Sequence, residues 1–335
     1  EIYMGDWSSD VCSSDLSVSK QFTAAAVLLL VRDGKVSLDD TVRKFVPELP
    51  DYGTPLTLRH MLTHTSGLRD WGSVMAVAGW PRGTRQYTHT HVLDIVSRQA
   101  ALNFAPGSRW SYSNTGYNLA AIVVERVTGM SFQDFTRSRI FEPLGMTHTS
   151  WRDDHARVVK RRAVAYAAGP QGFRAQMPFE NVYGNGGLLT TVADLLKWNE
   201  NFWSPRVGDA RFAAEMQERG HLNDGRAVNY ALGLTIDDYR GGAEISHSGV
   251  TAGYSAYLAR YPAEHLSLAV LCNVTVIPPE DYGHAMADLY LSRSPAQPAT
   301  VAQEFTIEQL SVYPGLYRSA DTYMEIGRAS CRERV

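Results

Sequence analysis

Apolar residues at helical spacing dominate the first half of the chain. A run rich in Ala and Leu, without Gly or Pro, extends from Ser17 to Leu30 and predicts a helix that begins near Ser17. Capping residues predict the limits of the other helices in this half. They are Thr57 before residues 58–62, Gly129 at the end of the helix that follows Tyr117, Ser131 with Asp134, and Thr191 with Asp194.

Strand-like runs dominate the second half of the chain. Four short runs rich in apolar and aromatic residues are separated by Gly, Asp-Asp and Pro-Ala-Glu-His, as expected of antiparallel strands. These runs are residues 230–236, 244–246, 254–261 and 266–272. A helix over about 279–291 closes the unit. Helices first, strands later and a final helix predict an α/β fold, a sheet-and-helix core with a helical insertion.

The two ends of the chain differ from the rest in character. Residues 1–16 have no apolar period and lack the basic start and apolar core of a signal peptide. Back-translated, they fit the adapter of short-read DNA sequencing, and residues 325–335 fit the adapter of the opposite end. We therefore expect both segments to be adapter-derived. The natural segment is then expected to hold a domain over 17–293, a linker over 294–304 and the start of a truncated C-terminal β domain over 305–324.

Charge and cysteine content exclude several function classes. The chain has 35 acidic and 32 basic residues, of which the two end segments hold 6 and 3, leaving 29 of each. This balance gives no electrostatic basis for binding nucleic acid or an anionic membrane. Cys272 is the one cysteine between the end segments, so no intrachain disulfide is expected. No apolar run approaches the roughly 18 residues of a transmembrane helix.

Ser17 and Lys20 lie one helical turn apart and bring a hydroxyl and an amine together. A serine hydroxyl becomes a nucleophile when a base takes its proton, and a lysine among apolar residues can act as that base. The helix N-terminus adds partial positive charge where an oxyanion would form. Taken alone, Ser-x-x-Lys is weak evidence and favours a capped helix that carries a solvated lysine.

Three more polar residues stand at the edges of predicted elements. Tyr112 and Asn114 precede the long helix in a loop, where they could serve chemistry or simply pack and form an Asx turn. His247 lies between two predicted strands, where a hairpin residue is the alternative. The pairs His60/His64 and His89/His91 predict no metal site, because spacing places no third ligand beside them.

Ser-x-x-Lys, Tyr-x-Asn and His-x-Gly occur here in the order that resembles the penicillin-recognising serine hydrolases. Residues 62–68, Leu-Thr-His-Thr-Ser-Gly-Leu, are similar to a segment of the beta-lactamase-related branch. That branch includes class C beta-lactamases, D-alanyl-D-alanine carboxypeptidases, D-aminopeptidases and esterases. The resemblance covers residue 17 to about 291. It implies a beta-lactamase-like antiparallel sheet flanked by helices, with a helical subdomain.

The resemblance also implies that strands preceding the nucleophile are missing from this chain. We expect a chain without them to be unstable or to aggregate, because an unpaired sheet edge would be exposed. A periplasmic or extracytoplasmic location is expected on the same basis.

The resemblance implies a role for each motif residue. Ser17 would be the acylated nucleophile, Lys20 its proton partner, Tyr112 the proton relay to the leaving group and Asn114 the holder of the substrate amide or carbonyl. His247 and Gly249 would line the opposite wall, and the backbone N–H groups of Ser17 and Val250 would form the oxyanion hole. Whether Lys20 or Tyr112 is the first base stays open, because strongly coupled groups titrate together.

His247 stands where many beta-lactamases have a lysine. A histidine is largely uncharged at pH 7, which weakens the expected binding of a substrate carboxylate. A peptidase, D-aminopeptidase or esterase acting on a small-molecule or peptide substrate is therefore favoured over an efficient beta-lactamase. The chemistry needs no metal or organic cofactor. Two alternatives stay open: a sensor that is acylated without turnover, and a structural protein on the same fold.

Overall fold

The computed structural model describes residues 13–14, 16–178, 180–292, 315–318 and 325–329. The predicted linker over 294–304 lies outside the described residues, and of the predicted C-terminal segment over 305–324 only one strand is described. The domain boundaries therefore stay predictions.

Ten helices of the described residues are labelled in chain order. They are α1 (Ser19–Arg32), α2 (Leu58–Leu62), α3 (Trp71–Val77), α4 (His89–Ser97), α5 (Asn114–Thr128), α6 (Phe132–Thr136), α7 (Glu142–Leu144), α8 (Val192–Glu200), α9 (Ala210–Met216) and α10 (Pro279–Tyr290). Short 3₁₀ turns cover Leu16–Val18, Val42–Lys44 and Pro262–Glu264, and a π turn over Arg137–Phe141 joins α6 to α7.

The described strands form one four-stranded sheet and three smaller ones. The strands are β1 (Ser13–Ser14), β2 (Ser150–Trp151), β3 (Tyr166–Gly169), β4 (Gly172–Ala175), β5 (Leu188–Thr190), β6 (Thr235–Tyr239), β7 (Gly242–Thr251), β8 (Tyr254–Tyr261), β9 (Leu266–Cys272), β10 (Gly315–Arg318) and β11 (Glu325–Ala329). The main sheet is antiparallel in the order β6-β7-β8-β9, and the others are β1-β5-β2, β3-β4 and β10-β11.

Strand β8 contributes side chains to two cores, one on each face of the main sheet. Side chains alternate between the two faces of a strand. Ala256 and Leu258 belong to the large apolar core that includes α1, whereas Tyr257 and Ala259 belong to a second core with Ala287 of α10. Both faces are therefore buried, which explains why all eight residues of β8 are buried.

Helix α1 is the centre of the large core. All residues from Ser19 to Leu30 are buried, including four polar side chains, and the apolar residues among them belong to the large core. Gly233 packs against its first turn with φ +76°, and a Cβ atom there would lie 2.7 Å from the Lys20 carbonyl oxygen. Only glycine fits this backbone contact.

The predicted helix limits are largely confirmed. Thr57 and Thr191 accept backbone N–H groups at the starts of α2 and α8, and Ser131 does so at the start of α6. Gly129 ends α5 in the left-handed region. After α6 the helical segment continues through the π turn and α7 and ends at the left-handed Gly145.

The limits of two predicted strands differ from those observed. The strand predicted over 230–236 lies instead at Thr235–Tyr239, because the left-handed Gly233 turns the chain and leaves residues 230–234 packed in the core. Asp237 and Asp238 lie inside this edge strand and do not separate strands. The strand predicted over 244–246 extends over Gly242–Thr251, so His247 lies within a strand and not between two.

No helix among the described residues is both long and apolar enough to cross a bilayer.

Candidate active site

Ser17 lies in the 3₁₀ turn directly before α1, one turn from Lys20 as the sequence predicted. Its Oγ is 3.0 Å from Lys20 Nζ and accepts a hydrogen bond of 2.9 Å from Tyr112 Oη. Ser17 and Tyr112 are partly exposed, whereas Lys20 is fully buried. The structure therefore places one reachable hydroxyl between an enclosed amine and a phenol.

Lys20 donates to groups that can only accept. Its Nζ lies 2.9 Å from Asn114 Oδ1 and 2.6 Å from the Asn185 carbonyl oxygen. If the amine is uncharged, these two acceptors take its two N–H groups and its lone pair is directed toward Ser17 Oγ. The geometry is therefore suited to the removal of the Ser17 proton by Lys20.

Asp70 fixes the orientation of Asn114, which is the first residue of α5 and not a loop residue before it. Asp70 Oδ2 accepts from the Asn114 backbone N–H at 2.8 Å and from Asn114 Nδ2 at 2.9 Å. Its other oxygen accepts the Ser73 N–H and caps α3. Because the amide nitrogen is held by Asp70, the amide oxygen of Asn114 faces Lys20.

Tyr112 is held as a neutral phenol. Burial raises the pKa of Tyr112 above its ordinary value of 10, and the negative charge of Asp70 acts in the same direction. The hydrogen bond to Ser17 and the charge of Arg82 oppose these effects without cancelling them. At neutral pH the phenol is therefore a proton donor to Ser17 Oγ.

His247 approaches the site from β7, with its ring centroid 6.4 Å from that of Tyr112. Its Nδ1 lies 2.6 Å from the Ser248 carbonyl oxygen, which can only accept, so Nδ1 carries the proton. Its Nε2 then accepts from Tyr230 Oη at 2.8 Å. Both nitrogens are occupied within the protein.

Burial lowers the pKa of His247 to about 3, with a further contribution from the positive charge of Lys20. The hydrogen bond to Ser248 opposes this shift. His247 is therefore uncharged at pH 7 and presents neither a positive charge nor a free N–H to a substrate carboxylate.

Gly249 and Val250 lie on an unpaired edge of β7. Strand β6 pairs with β7 over residues 242–246 alone, and β8 pairs along the opposite edge as far as Thr251. No described strand covers the β6 side of residues 247–251. Val250 is 62% exposed. The segment that holds the predicted oxyanion-hole donor is thus open to a bound molecule.

Asn185 was missed as a site residue, although the run Gly184-Asn185-Gly186-Gly187 indicates a close backbone approach. A Cβ atom at Gly184, where φ is +93°, would lie 2.6 Å from the Tyr117 carbonyl oxygen. Asn118 Nδ2 donates to Asn185 Oδ1 at 2.6 Å, which holds the loop that presents the Asn185 carbonyl to Lys20.

Asp70 and Tyr230 had no sequence signal of their own. Each acts on the site through another residue that is distant in sequence, Asp70 through Asn114 and Tyr230 through His247. His60 and His64 have different surroundings. His60 Nδ1 caps α2 by accepting the Thr57 N–H, whereas His64 lies beyond the helix against Tyr112.

A family model described as Beta-lactamase matches residues 16–292, which include all of these residues. The chain belongs to the beta-lactamase family. The family and the fold class that the three motifs predicted are thereby confirmed.

Curated relatives in this family carry two kinds of name. Penicillin-binding protein 4* of Bacillus subtilis is 29% identical over 274 residues, covering 77% of this chain and 59% of that protein. A D-aminopeptidase of Brucella anthropi is 26% identical over 259 residues, covering 77% of this chain and 48% of that protein. The chain thus spans about half the length of the curated relatives it matches.

Solved structures of the beta-lactamase family show the same fold. The octameric penicillin-binding protein homologue from Pyrococcus abyssi superposes with a TM-score of 0.74 at 26% identity, covering 95% of this chain and 74% of that one. The D-amino acid amidase from Ochrobactrum anthropi SV3, complexed with L-phenylalanine amide, gives a TM-score of 0.68 at 26% identity, covering 79% and 77%.

Proposed function

We propose that this protein is a serine hydrolase that forms an acyl-enzyme on Ser17. The observation that carries the proposal is the position of Ser17 Oγ, 3.0 Å from Lys20 Nζ and 2.9 Å from Tyr112 Oη. A base beside a hydroxyl can remove its proton, and an acid in the same site can protonate the leaving group of the substrate. The membership of the beta-lactamase family supports this reaction class.

Lys20 is the first base in this mechanism. Tyr112 cannot accept a proton as a phenolate at neutral pH, because its pKa is raised by burial. In its uncharged form, Lys20 takes the proton from Ser17 Oγ, and the oxygen attacks the substrate carbonyl carbon. The oxyanion that forms is held by the backbone N–H groups of Ser17 and Val250, and one such donor contributes about 3–4 kcal/mol.

Tyr112 completes the acylation step. Its O–H donates a proton to the leaving amine or alkoxide as the bond from that atom to the carbonyl carbon breaks. The resulting phenolate regains a proton from the Lys20 ammonium, whose Nζ lies 4.9 Å from the centroid of the Tyr112 ring. A water molecule then attacks the acyl-enzyme, with the same groups acting in reverse, and releases the acid and free Ser17.

The proposed substrates are amides, peptides or esters whose acyl part is a D-amino acid. The names of the D-aminopeptidase and D-amino acid amidase relatives favour this class. The neutral, internally bonded His247 makes recognition of a beta-lactam carboxylate by this residue unfavourable. We therefore expect turnover of p-nitrophenyl esters or D-amino acid amides to exceed turnover of nitrocefin.

The test compares the wild-type chain with Ser17→Ala on p-nitrophenyl esters, D-alanyl peptides, D-amino acid amides and nitrocefin. A burst of product equal to the enzyme concentration, followed by steady turnover and absent in Ser17→Ala, is the expected result. Mass spectrometry of the acylated protein should place the added mass on Ser17. A fluorescent penicillin that labels Ser17 without release would identify a sensor instead. Equal hydrolysis by the two proteins would refute the proposal.

A further inference from the structure

His64 is a buried residue that the mechanism above does not use. It follows α2 after a single residue and is 1% exposed, and its φ of +57° lies in the left-handed region. A residue other than glycine or asparagine adopts this conformation at a cost, so the surrounding structure must hold it there.

His64 contacts the chain on both sides of Tyr112. Its carbonyl oxygen accepts the backbone N–H of Ser111 at 2.9 Å, and its Nδ1 accepts the backbone N–H of Ser113 at 3.2 Å. Its ring lies against the phenol of Tyr112, with 4.2 Å between the ring centroids. One side chain and its own backbone thus restrain the residue before Tyr112, the residue after it and the phenol ring.

The left-handed conformation of His64 explains how one residue makes both hydrogen bonds. It turns the carbonyl and the side chain toward the same neighbouring segment, residues 111–113, which crosses beside them.

The ring of His64 is used as an acceptor. A backbone N–H donates to Nδ1, so the proton of the neutral ring resides on Nε2. Burial holds the pKa of His64 well below its ordinary value, and the positive charge of Lys20 acts in the same direction. Nε2 has no hydrogen-bond partner among the described residues. Its ring is surrounded by Trp110, Tyr117 and Tyr230.

A phenylalanine would avoid the cost of this buried, unpartnered N–H, but it could not accept from Ser113. Histidine supplies a hydrogen-bond acceptor beside the backbone of Tyr112, which an apolar ring cannot do.

We propose that His64 is a positioning residue that clamps Tyr112 so that its hydroxyl meets Ser17 Oγ. The inference rests on the proposed function, because it assigns His64 to the proton transfer made by Tyr112. His64 touches neither the nucleophile nor the base in the described contacts, so it acts on the reaction through Tyr112.

The test uses two variants that separate the acceptor from the ring. In His64→Asn, Oδ1 stands as many bonds from Cα as Nδ1 does in histidine, and asparagine tolerates the left-handed conformation. His64→Phe keeps a ring against Tyr112 but leaves the Ser113 N–H without a partner. We expect His64→Phe to lower kcat on a D-amino acid amide, whose amine leaving group needs the Tyr112 proton, by about 100-fold with little change in KM, because a displacement near 1 Å can cost that much. His64→Asn should recover most of this loss.

His60→Ala is the matched control. His60 lies four residues earlier and caps α2, so its loss should lower Tm while leaving kcat unchanged. If His60→Ala lowers kcat as much as His64→Phe does, destabilisation of α2 explains the effect and the clamp is refuted. Full activity in His64→Phe, or equal losses in His64→Phe and His64→Asn, would also overturn it.

Amide hydrogen exchange resolved at residues 111 and 113 tests the clamp independently of turnover. Both amides should be protected in the wild-type chain, and residue 113 should lose protection in His64→Phe but keep it in His64→Asn. Rapid exchange of these amides in the wild-type chain refutes the clamp. A wild-type chain that shows this protection but forms no acyl-enzyme refutes the proposed function alone, so the two failures are distinguishable.

Discussion

The buried, uncharged His247 makes the stability of this protein depend on pH in a defined range. Its pKa is about 3 in the folded chain and returns to the ordinary value of 6.5 on unfolding. Below pH 6.5 the unfolded chain therefore binds a proton that the folded chain does not. Wherever the unfolded state binds more protons than the folded state, the free energy of unfolding falls as the pH is lowered. Acidification from pH 6.5 toward pH 3 therefore destabilises the fold.

The size of this effect follows from the two pKa values. Between pH 6 and pH 4, the difference in proton binding lowers the free energy of unfolding by about 2.5 kcal/mol. Above pH 7 the ring is neutral in both states, so His247 contributes no pH dependence there. The groups that face the ring are Lys20, Tyr112 and Tyr230.

The assay is urea unfolding of the wild-type chain and of His247→Gln at pH 4, 5, 6 and 7.5. Glutamine can accept the Tyr230 hydroxyl in place of Nε2, and it does not titrate. Other titrating groups contribute to both proteins and cancel in the difference. The wild-type chain should lose about 2.5 kcal/mol more than His247→Gln between pH 6 and pH 4. Parallel curves for the two proteins would show that His247 is not buried in its neutral form.

Two further substitutions test the packing and the orientation of the site. Gly233→Ala places a Cβ atom 2.7 Å from the α1 backbone at a positive φ, whereas the control Gly34→Ala has a positive φ and no atom within 4 Å. We expect the free energy of unfolding, measured with denaturant, to fall by about 3 kcal/mol in Gly233→Ala and by about 1 kcal/mol in Gly34→Ala. Equal losses would contradict the close contact. Asp70→Asn replaces the charged group that accepts from two N–H groups of Asn114. The rate of acylation in stopped-flow assays should therefore fall at least about tenfold. An unchanged rate would show that Asn114 is oriented without Asp70.

Local patterns determined much of what could be predicted from the sequence. The spacing of Ser17 and Lys20 follows from the helical period, and the cap residues Thr57, Ser131 and Gly129 act on neighbours within a few positions. Such features depend on short-range geometry, which the sequence by itself specifies. The order of the three motifs was enough to predict the family and the fold class, which the match over residues 16–292 confirms.

Tertiary structure decided the features that depend on residues distant in sequence. The strand predicted over 230–236 moved to Thr235–Tyr239 because Gly233 packs against α1, a contact that no local pattern reveals. The partners of the site, Asp70, Asn185, Tyr230 and His64, reach it through hydrogen bonds or ring contacts that span from 17 to 165 positions.

The charge state of His247 was likewise decided by the fold. The ordinary pKa of histidine left its charge dependent on neighbours, and burial beside Lys20 set the direction of the shift. A sequence specifies which groups are present and their local geometry, whereas the free energy of a buried charge depends on everything packed around it.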